Sequence, residues 1–165
     1  MSKSEVALKE AFAGESQANR KYLAFAAKAD QEGHPQAARL FRAAAEAETI
    51  HAHNHLRALK AIRSTRENLQ EAVAGETHEF KSMYPAMIDA AKAEGNKEAE
   101  RSFNYANDVE KVHARLYQEL LAGLGKAGET YAYYVCPVCG YTAEKAAPEV
   151  CPVCGAKGKM FKKVE

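Results

Sequence analysis

The chain has 165 residues, enough for one ordinary domain with a small appendage, and its 47% apolar residues can form a real core. Basic and acidic residues nearly balance, 23 against 22, and they are spread evenly, which argues against a nucleic-acid partner. No apolar run is long enough to span a membrane and no leader pattern opens the chain, so we expect a soluble, cytoplasmic protein without a membrane partner.

Four long helices are predicted in the first 125 residues, from helical spacing of apolar residues and from turn signals between them. They are expected to span residues 4–31, 35–62, 64–94 and 97–121. Ser64 followed by Glu67 predicts a capping box at the start of the third helix. Pro85 lies inside that helix and should kink or loosen it near Lys81 without ending it.

The two helical hairpins repeat each other. Gly14-Glu15 corresponds to Gly75-Glu76 at an offset of 61 residues, and the turn glycines correspond at an offset of 62. At the second offset the matched pairs are Phe41 with Phe103, Glu48 with Glu110, and His51 with His113. We therefore interpret residues 4–63 and 64–124 as one helical hairpin that has been duplicated.

Each predicted helix carries a glutamate in the middle of the stripe that should face the core. Unpaired carboxylates are costly there, so protons, cations or a metal must neutralise them. Two of the four begin a Glu-x-x-His pair, a spacing that directs a carboxylate and an imidazole from one helix at one ion. This is the ligand set of a di-iron or di-manganese carboxylate bundle. The predicted ligands are Glu15, Glu48, His51, Glu76, Glu110 and His113.

All four cysteines lie near the C-terminus, in two Cys-Pro-Val-Cys-Gly knuckles formed by Cys136 with Cys139 and Cys151 with Cys154. Two such turns can bring four thiolates together tetrahedrally, and adjacent CxxC pairs favour metal ligation over disulfides. The spacing leaves zinc and iron open, because both ions suit a four-thiolate site. We expect a helical domain at residues 1–125, a linker at 126–133 and a four-cysteine domain with short strands at 134–165.

Together these motifs resemble those of the rubrerythrins over nearly the whole chain. The motifs are Ala13-Gly14-Glu15-Ser16-Gln17-Ala18, Glu48-x-x-His51, Gly75-Glu76-x-x-Glu79, Met83-Tyr84-Pro85, Glu110-x-x-His113 and the two cysteine knuckles. The resemblance implies an all-α, ferritin-like four-helix bundle with an oxo- and carboxylate-bridged di-iron centre. It also implies a small C-terminal rubredoxin-like domain that holds a third iron, with zinc as the alternative metal. The implied activity is that of a peroxidase that reduces hydrogen peroxide to water in oxidative-stress defence.

The resemblance further implies roles for three residues outside the set predicted from spacing. Glu79 would be a seventh ligand, binding one iron in the oxidised state, and that iron would move to His51 on reduction. Tyr22 and Tyr84 would hydrogen-bond the carboxylates or bound peroxide. Electrons would reach the four-cysteine iron from a donor protein, such as a rubredoxin or its reductase, and ultimately from NAD(P)H.

Two functions of other classes stay open: an iron-oxidising, ferritin-like storage or detoxification protein, and a non-catalytic scaffold with a zinc ribbon. The connection between the second and third helices is also informative, because its roughly 18 Å reach is shorter than a long helix. A ferritin-like topology needs a connection that runs the full length of the bundle. We therefore expect a homodimer that exchanges helical hairpins, with an up-down-up-down bundle as the alternative.

Overall fold

A computed structural model describes the whole chain, residues 1–165, which divides into two compact units, residues 1–63 and 64–165. The helices are α1 (Lys3–Gln31), α2 (Pro35–Ala58), α3 (Thr65–His78), α4 (Tyr84–Ala93) and α5 (Lys97–Gly123), and the strands are β1 (Tyr133–Val135), β2 (Thr142–Glu144) and β3 (Lys162–Val164). A π-helical turn joins α3 to α4, so these two form the third of the four predicted long helices. The predicted fold class is confirmed. None of the helices is long and apolar enough to cross a bilayer.

The first unit is a helical hairpin that packs through alanines. α1 begins with a capping box, in which the Ser2 hydroxyl accepts the backbone N–H of Glu5 and the Glu5 carboxylate accepts the backbone N–H of Ser2. At the hairpin turn Gly33 has a φ of +77°, a conformation that glycine adopts without strain, and Pro35 then opens α2. The buried apolar side chains of this unit are Ala26, Ala29, Ala38, Ala45 and Ala52. Such a seam allows close approach of the helices but buries little apolar area.

The second helix ends at Ala58, earlier than the prediction of about Ile62. Lys60 adopts a φ of +54°, in the left-handed region, and the N–H of Ala61 bonds to the carbonyl of Leu56. These are the features of a helix-terminating motif that usually contains glycine. Because a lysine occupies the left-handed position here, the sequence carried no signal for this end.

The third long helix begins as predicted and changes its pitch in the middle. Ser64 and Glu67 form the predicted capping box. Residues 79–83 then form the π-helical turn, and α-helical geometry resumes before Pro85. Proline lacks an N–H and its ring crowds the preceding turn, so a wider turn accommodates it without breaking the helix. The predicted loosening near Lys81 is confirmed.

The C-terminal part of the second unit is a small antiparallel sheet with strand order β2-β1-β3. The register places Tyr134 opposite Ala143 and Lys163. The first cysteine knuckle lies against α5, where a Cβ added to Gly140 would meet the Val109 side chain at 3.8 Å. Arg115 of α5 also lies 3.8 Å from Glu144 of β2. The four-cysteine region therefore packs on the middle of α5.

Candidate metal centres

The first candidate centre lies in the hairpin of residues 1–63. Glu15 on α1 and Glu48 and His51 on α2 each offer one ligand atom, and these atoms lie within 4.8 Å of one another. The Nδ1 atom of His51 is 3.1 Å from Glu48 Oε2 and 4.0 Å from Glu15 Oε1. The structure thus brings together the three ligands predicted on this hairpin, and the i,i+3 spacing on α2 supplies two of them.

The two carboxylates of the first centre shift each other's pKa in opposite directions. Their mutual hydrogen bond is the main cause that raises the pKa of Glu15, and burial and the charge of Glu48 act in the same direction. The same hydrogen bond lowers the pKa of Glu48, and a hydrogen bond from His51 lowers it further. A divalent cation can take the place of a proton on Glu15, because metal binding releases protons from its ligands.

The second candidate centre lies in residues 64–165 and has the same composition. Glu76 on α3 and Glu110 and His113 on α5 also offer ligand atoms within 4.8 Å of one another. The Nδ1 atom of His113 is 2.8 Å from Glu110 Oε2 and 3.7 Å from Glu76 Oε2. This centre is the more enclosed of the two, since the His113 side chain is 27% exposed and that of His51 is 53% exposed.

The electrostatics of the second centre fit a cation. Burial, followed by the hydrogen bond with Glu110 and the charge of Glu110, raises the pKa of Glu76 to about 7. Burial also acts to raise the pKa of Glu110, but hydrogen bonds from His113 and Glu76 outweigh it and lower that pKa. The Oε2 atom of Glu76 is buried and has no hydrogen-bond partner. This carboxylate oxygen is buried, accepts no hydrogen bond and lies near an imidazole nitrogen. Carboxylate oxygens and imidazole nitrogens together are ligands that suit iron, manganese or zinc.

Glu79 and Tyr84 lie beside the second centre without joining its three convergent ligands. Glu79 begins the π-helical turn, one turn beyond Glu76. Burial raises the pKa of Glu79, and the charge of Glu110 raises it further. Burial likewise raises the pKa of Tyr84, and the charges of the three neighbouring glutamates add to it. Both side chains are therefore close enough for the charges of this centre to shift their pKa values.

The other predicted tyrosine, Tyr22, has aromatic surroundings in the first unit. Its ring centroid lies 6.4 Å from that of Phe25 and 6.1 Å from that of Phe41. A further tyrosine, on α5, was not predicted as a site residue. This is Tyr117, whose pKa is raised by burial and then by the charges of the two glutamates of the second centre.

The four cysteines converge as predicted, and all are free thiols. The Sγ atoms of Cys136 and Cys154 are 3.6 Å apart, and those of Cys139 and Cys151 are 3.5 Å apart. Four sulfurs bound tetrahedrally at about 2.3 Å from one ion would be roughly 3.8 Å apart, so the site matches a metal. Burial acts to raise the pKa of Cys136, but the backbone N–H groups of Cys139 and Val138 outweigh it and lower that pKa to about 7.

One contact joins the four-cysteine region to the second centre. The Nε2 atom of His113 is 3.0 Å from Thr142 Oγ1, and that oxygen is 3.2 Å from the carbonyl oxygen of Gly140. A cavity of about 200 Å³ opens beside this contact and is lined by His113, Leu116, Tyr117, Leu120, Tyr133 and Thr142. Sequence reasoning missed Thr142, because a single threonine 29 residues from its partner carries no local signal.

Comparison with known proteins gives matches over both the helical and the four-cysteine parts of the chain. The family model described as rubrerythrin matches residues 7–121, and the model of the rubrerythrin rubredoxin-like domain matches residues 134–162. Rubrerythrin-2 of Clostridium acetobutylicum is 40% identical over 151 residues, 82% of this chain and 82% of the relative. Nigerythrin of Nitratidesulfovibrio vulgaris is 36% identical over 148 residues, 81% of this chain and 73% of the relative.

A solved structure is similar over almost the entire chain. The fully reduced, all-ferrous state of nigerythrin matches with a TM-score of 0.61 and 33% sequence identity, covering 99% of this chain and 88% of that one. The two carboxylate and imidazole centres and the four-cysteine site occur in the ranges that the two family models match. The chain therefore belongs to the rubrerythrin family, whose members bind a di-iron centre and a rubredoxin-like iron.

Proposed function

We propose that this protein is a non-haem iron peroxidase that reduces hydrogen peroxide to water at a di-iron centre, with electrons delivered through the four-cysteine iron. Its family makes it a di-iron oxidoreductase with a rubredoxin-like domain and a peroxide-related role. One observation carries the finer proposal: residues 64–165 hold both a Glu-Glu-His centre and a four-thiolate site. The four-thiolate site packs on α5, the helix that carries Glu110 and His113. An iron held there could pass electrons to the Glu-Glu-His centre, as repeated reduction of a peroxide requires.

We assign the iron ligands from the convergence of side chains within each unit. The assigned ligands are Glu15, Glu48, His51, Glu76, Glu110 and His113 for the iron pair, and Cys136, Cys139, Cys151 and Cys154 for the single iron. Glu79 is assigned as a further ligand in the oxidised state. An additional carboxylate would compensate for the higher positive charge of the oxidised pair.

The side chains around the iron pair would orient the substrate and supply hydrogen bonds. When bound, the irons supply two electrons and the Lewis acidity that weakens the O–O bond, and two protons complete the conversion to two waters. Tyr84 keeps its hydroxyl proton at neutral pH, because burial and nearby carboxylates raise its pKa, so it can donate a hydrogen bond to substrate. Tyr22, whose ring packs in a cluster with Phe25 and Phe41, is proposed to give a second hydroxyl.

We propose further that the protein is a homodimer with exchanged hairpins. The connection from α2 to α3, residues 59–64, can reach at most about 20 Å, whereas the 24 residues of α2 extend about 36 Å. The first unit buries little besides alanines and Asn19, and Leu40 is 68% exposed, so this hairpin needs a packing partner. In this arrangement residues 1–125 form the bundle domain, 126–133 the linker and 134–165 the rubredoxin-like domain.

Complementation between inactive variants tests the exchange. One chain carries Glu15→Ala and Glu48→Ala, and the other carries Glu76→Ala and Glu110→Ala, so that each alone lacks half of the ligands. Co-refolded heterodimers with exchanged hairpins should regain one intact centre of two. Unexchanged bundles regain none, so verified heterodimers without any peroxide consumption would exclude the exchange.

The proposed electron donor is a separate protein, a rubredoxin or its NAD(P)H-linked reductase, which would reduce the four-cysteine iron one electron at a time. The four thiols are free and converge on one point, as a thiolate metal site requires. Thiols persist in reducing compartments, so we place the protein in the cytoplasm.

The variant Cys139→Ser tests whether the two iron sites have separate roles. Steady-state peroxide reduction with an external donor should be lost, while a pre-reduced di-iron centre should still be oxidised in a single turnover. Val138→Ala is a matched control in the same knuckle, since Val138 is 53% exposed. Equal loss of both reactions in Cys139→Ser would contradict the proposal, and a large shell of subunits in gel filtration would favour an iron-storage function.

A further inference from the structure

Thr142 on β2 bridges the four-cysteine region and the histidine of the second metal centre. Its Oγ1 atom lies 3.0 Å from His113 Nε2 and 3.2 Å from the carbonyl oxygen of Gly140. A carbonyl oxygen can only accept a hydrogen bond, so the threonine hydroxyl donates its proton to Gly140. The Oγ1 atom then accepts a hydrogen bond from His113, so the imidazole carries a proton on Nε2.

This hydrogen bond determines which nitrogen of His113 is left for a metal. Without a metal, Nδ1 donates a hydrogen bond to Glu110 at 2.8 Å and lies 3.7 Å from Glu76. Because Thr142 holds the Nε2 proton, Nδ1 is the nitrogen that would give up its proton and offer its lone pair to a metal. An acceptor that holds the second nitrogen of a ligating histidine fixes the tautomer and the orientation of the ring. Thr142 therefore prepares His113 to bind through Nδ1.

The same two hydrogen bonds form a short connection between the sites. Gly140 follows Cys139 directly in the chain, so the route runs from the cysteine through the Gly140 carbonyl and the Thr142 hydroxyl to the imidazole. The equivalent histidine of the first hairpin, His51, also bonds through Nδ1 to the glutamate three residues before it, but it is 53% exposed, whereas His113 bonds through Nε2 to Thr142 as well. The connection thus distinguishes two histidines that the duplicated hairpin makes equivalent in sequence.

We propose that Thr142 is a positioning residue for His113, and that electrons from the four-cysteine iron enter the di-iron centre at the iron bound by His113. This inference rests on the proposed function for its redox part. With iron bound at both sites, each transfer would move one electron: the four-cysteine iron would go from ferrous to ferric, and the iron at His113 would go from ferric to ferrous. No covalent bond changes, and the Nε2 proton stays in its hydrogen bond to Thr142.

The matched variants Thr142→Val and Thr142→Ser test this role in the full chain. Valine keeps the branched shape that β2 favours and removes the hydroxyl, and the adjoining cavity of about 200 Å³ accommodates its methyl group. Serine keeps the hydroxyl. Unchanged spectra of the four-cysteine iron in both variants will show that the C-terminal sheet is intact.

The first measurement follows oxidation of the four-cysteine iron after fully reduced, iron-loaded protein is mixed with hydrogen peroxide. We expect this step to be roughly tenfold slower in Thr142→Val, the usual scale for losing a partner of a ligating histidine, and close to the wild-type rate in Thr142→Ser. The direct reaction of the four-cysteine iron with peroxide is measured in Glu110→Ala and subtracted. Equal rates in Thr142→Val and the wild type would overturn the proposed route.

The second measurement is independent of peroxidase activity. Protein whose four-cysteine site is already filled is titrated with Co²⁺, and the binding phase that disappears in His113→Ala identifies the second centre. Thr142→Val should weaken this phase roughly tenfold, and Thr142→Ser should restore it. Unchanged affinity in Thr142→Val would refute the positioning role. If the chain is no peroxidase, the wild type fails the first measurement, while the Co²⁺ result still decides the role of Thr142.

Discussion

The substitution Glu76→Gln should stabilise the metal-free protein and weaken its metal binding. Burial and Glu110 raise the pKa of Glu76 from an ordinary value of 4.5 to about 7, so ionising this side chain is harder in the folded protein than in the unfolded chain. The resulting loss of stability is absent below pH 4.5, grows as the pH rises and is complete above pH 7. Glutamine cannot ionise, and its amide can donate to the Glu110 carboxylate at every pH.

The size of the effect follows from the pKa and the exposure of Glu76. A pKa raised from 4.5 to about 7 corresponds to roughly 3 kcal/mol. The side chain is 21% exposed, so solvent screening reduces the figure to about 1–2 kcal/mol. For a chain of this size that is a rise in Tm of roughly 3–6 °C at pH 8, with a much smaller rise at pH 5.

Thermal unfolding of metal-free protein, followed by circular dichroism at both pH values, measures this prediction. Glu46→Gln, at an exposed position of α2, is the control for removing one negative charge. A stabilisation of the same size at pH 5 and pH 8 would show that ionisation of Glu76 is not its cause. A lower Tm at pH 8 would refute the electrostatic reasoning, because it would mean that the ionised carboxylate stabilises the fold.

Two further changes test the hierarchy of ligands and the end of α2. Glu79→Ala should retain about two bundle irons per chain but alter the turnover rate, whereas Glu110→Ala should lose metal; metal analysis that finds both variants equally empty would contradict this order. Lys60→Gly should raise the free energy of unfolding by about 0.5–1 kcal/mol, because Lys60 has a φ of +54°. Urea unfolding measures the change, and a fall in the midpoint would show that the lysine side chain makes a compensating contact.

Local features of this fold followed from the sequence, whereas features set by packing did not. Helical periodicity and the hairpin turn were enough to predict that Glu15, Glu48 and His51 lie close together, because their positions are set by distances along two adjacent helices. Their ligand atoms lie within 4.8 Å of one another. The end of α2 depends on a left-handed lysine, which no composition rule marks. The contact between His113 and Thr142 depends on how the C-terminal sheet packs on α5. The sequence around neither residue predicts that packing.

The π-helical turn accounts for a one-residue difference in length between the two hairpins. Gly33 follows Gly14 by 19 residues, but Gly95 follows Gly75 by 20, so the second hairpin is longer by one residue between its matched glycines. A π turn is an α-helix that holds one extra residue, and the turn at residues 79–83 lies inside that longer interval. The π turn therefore accommodates the extra residue of the second hairpin without interrupting the helix.

In the interpretation of the two hairpins as a duplication, the extra residue also brings a difference in side-chain chemistry. Counted from the matched glycines, Glu79 stands where the first hairpin has Ala18. The second hairpin therefore offers a carboxylate that its sister lacks, at the point where its helix is widest. A cation bound at the second centre would have this extra carboxylate one helical turn from Glu76, whereas a cation at the first centre would have the methyl group of an alanine at the corresponding position.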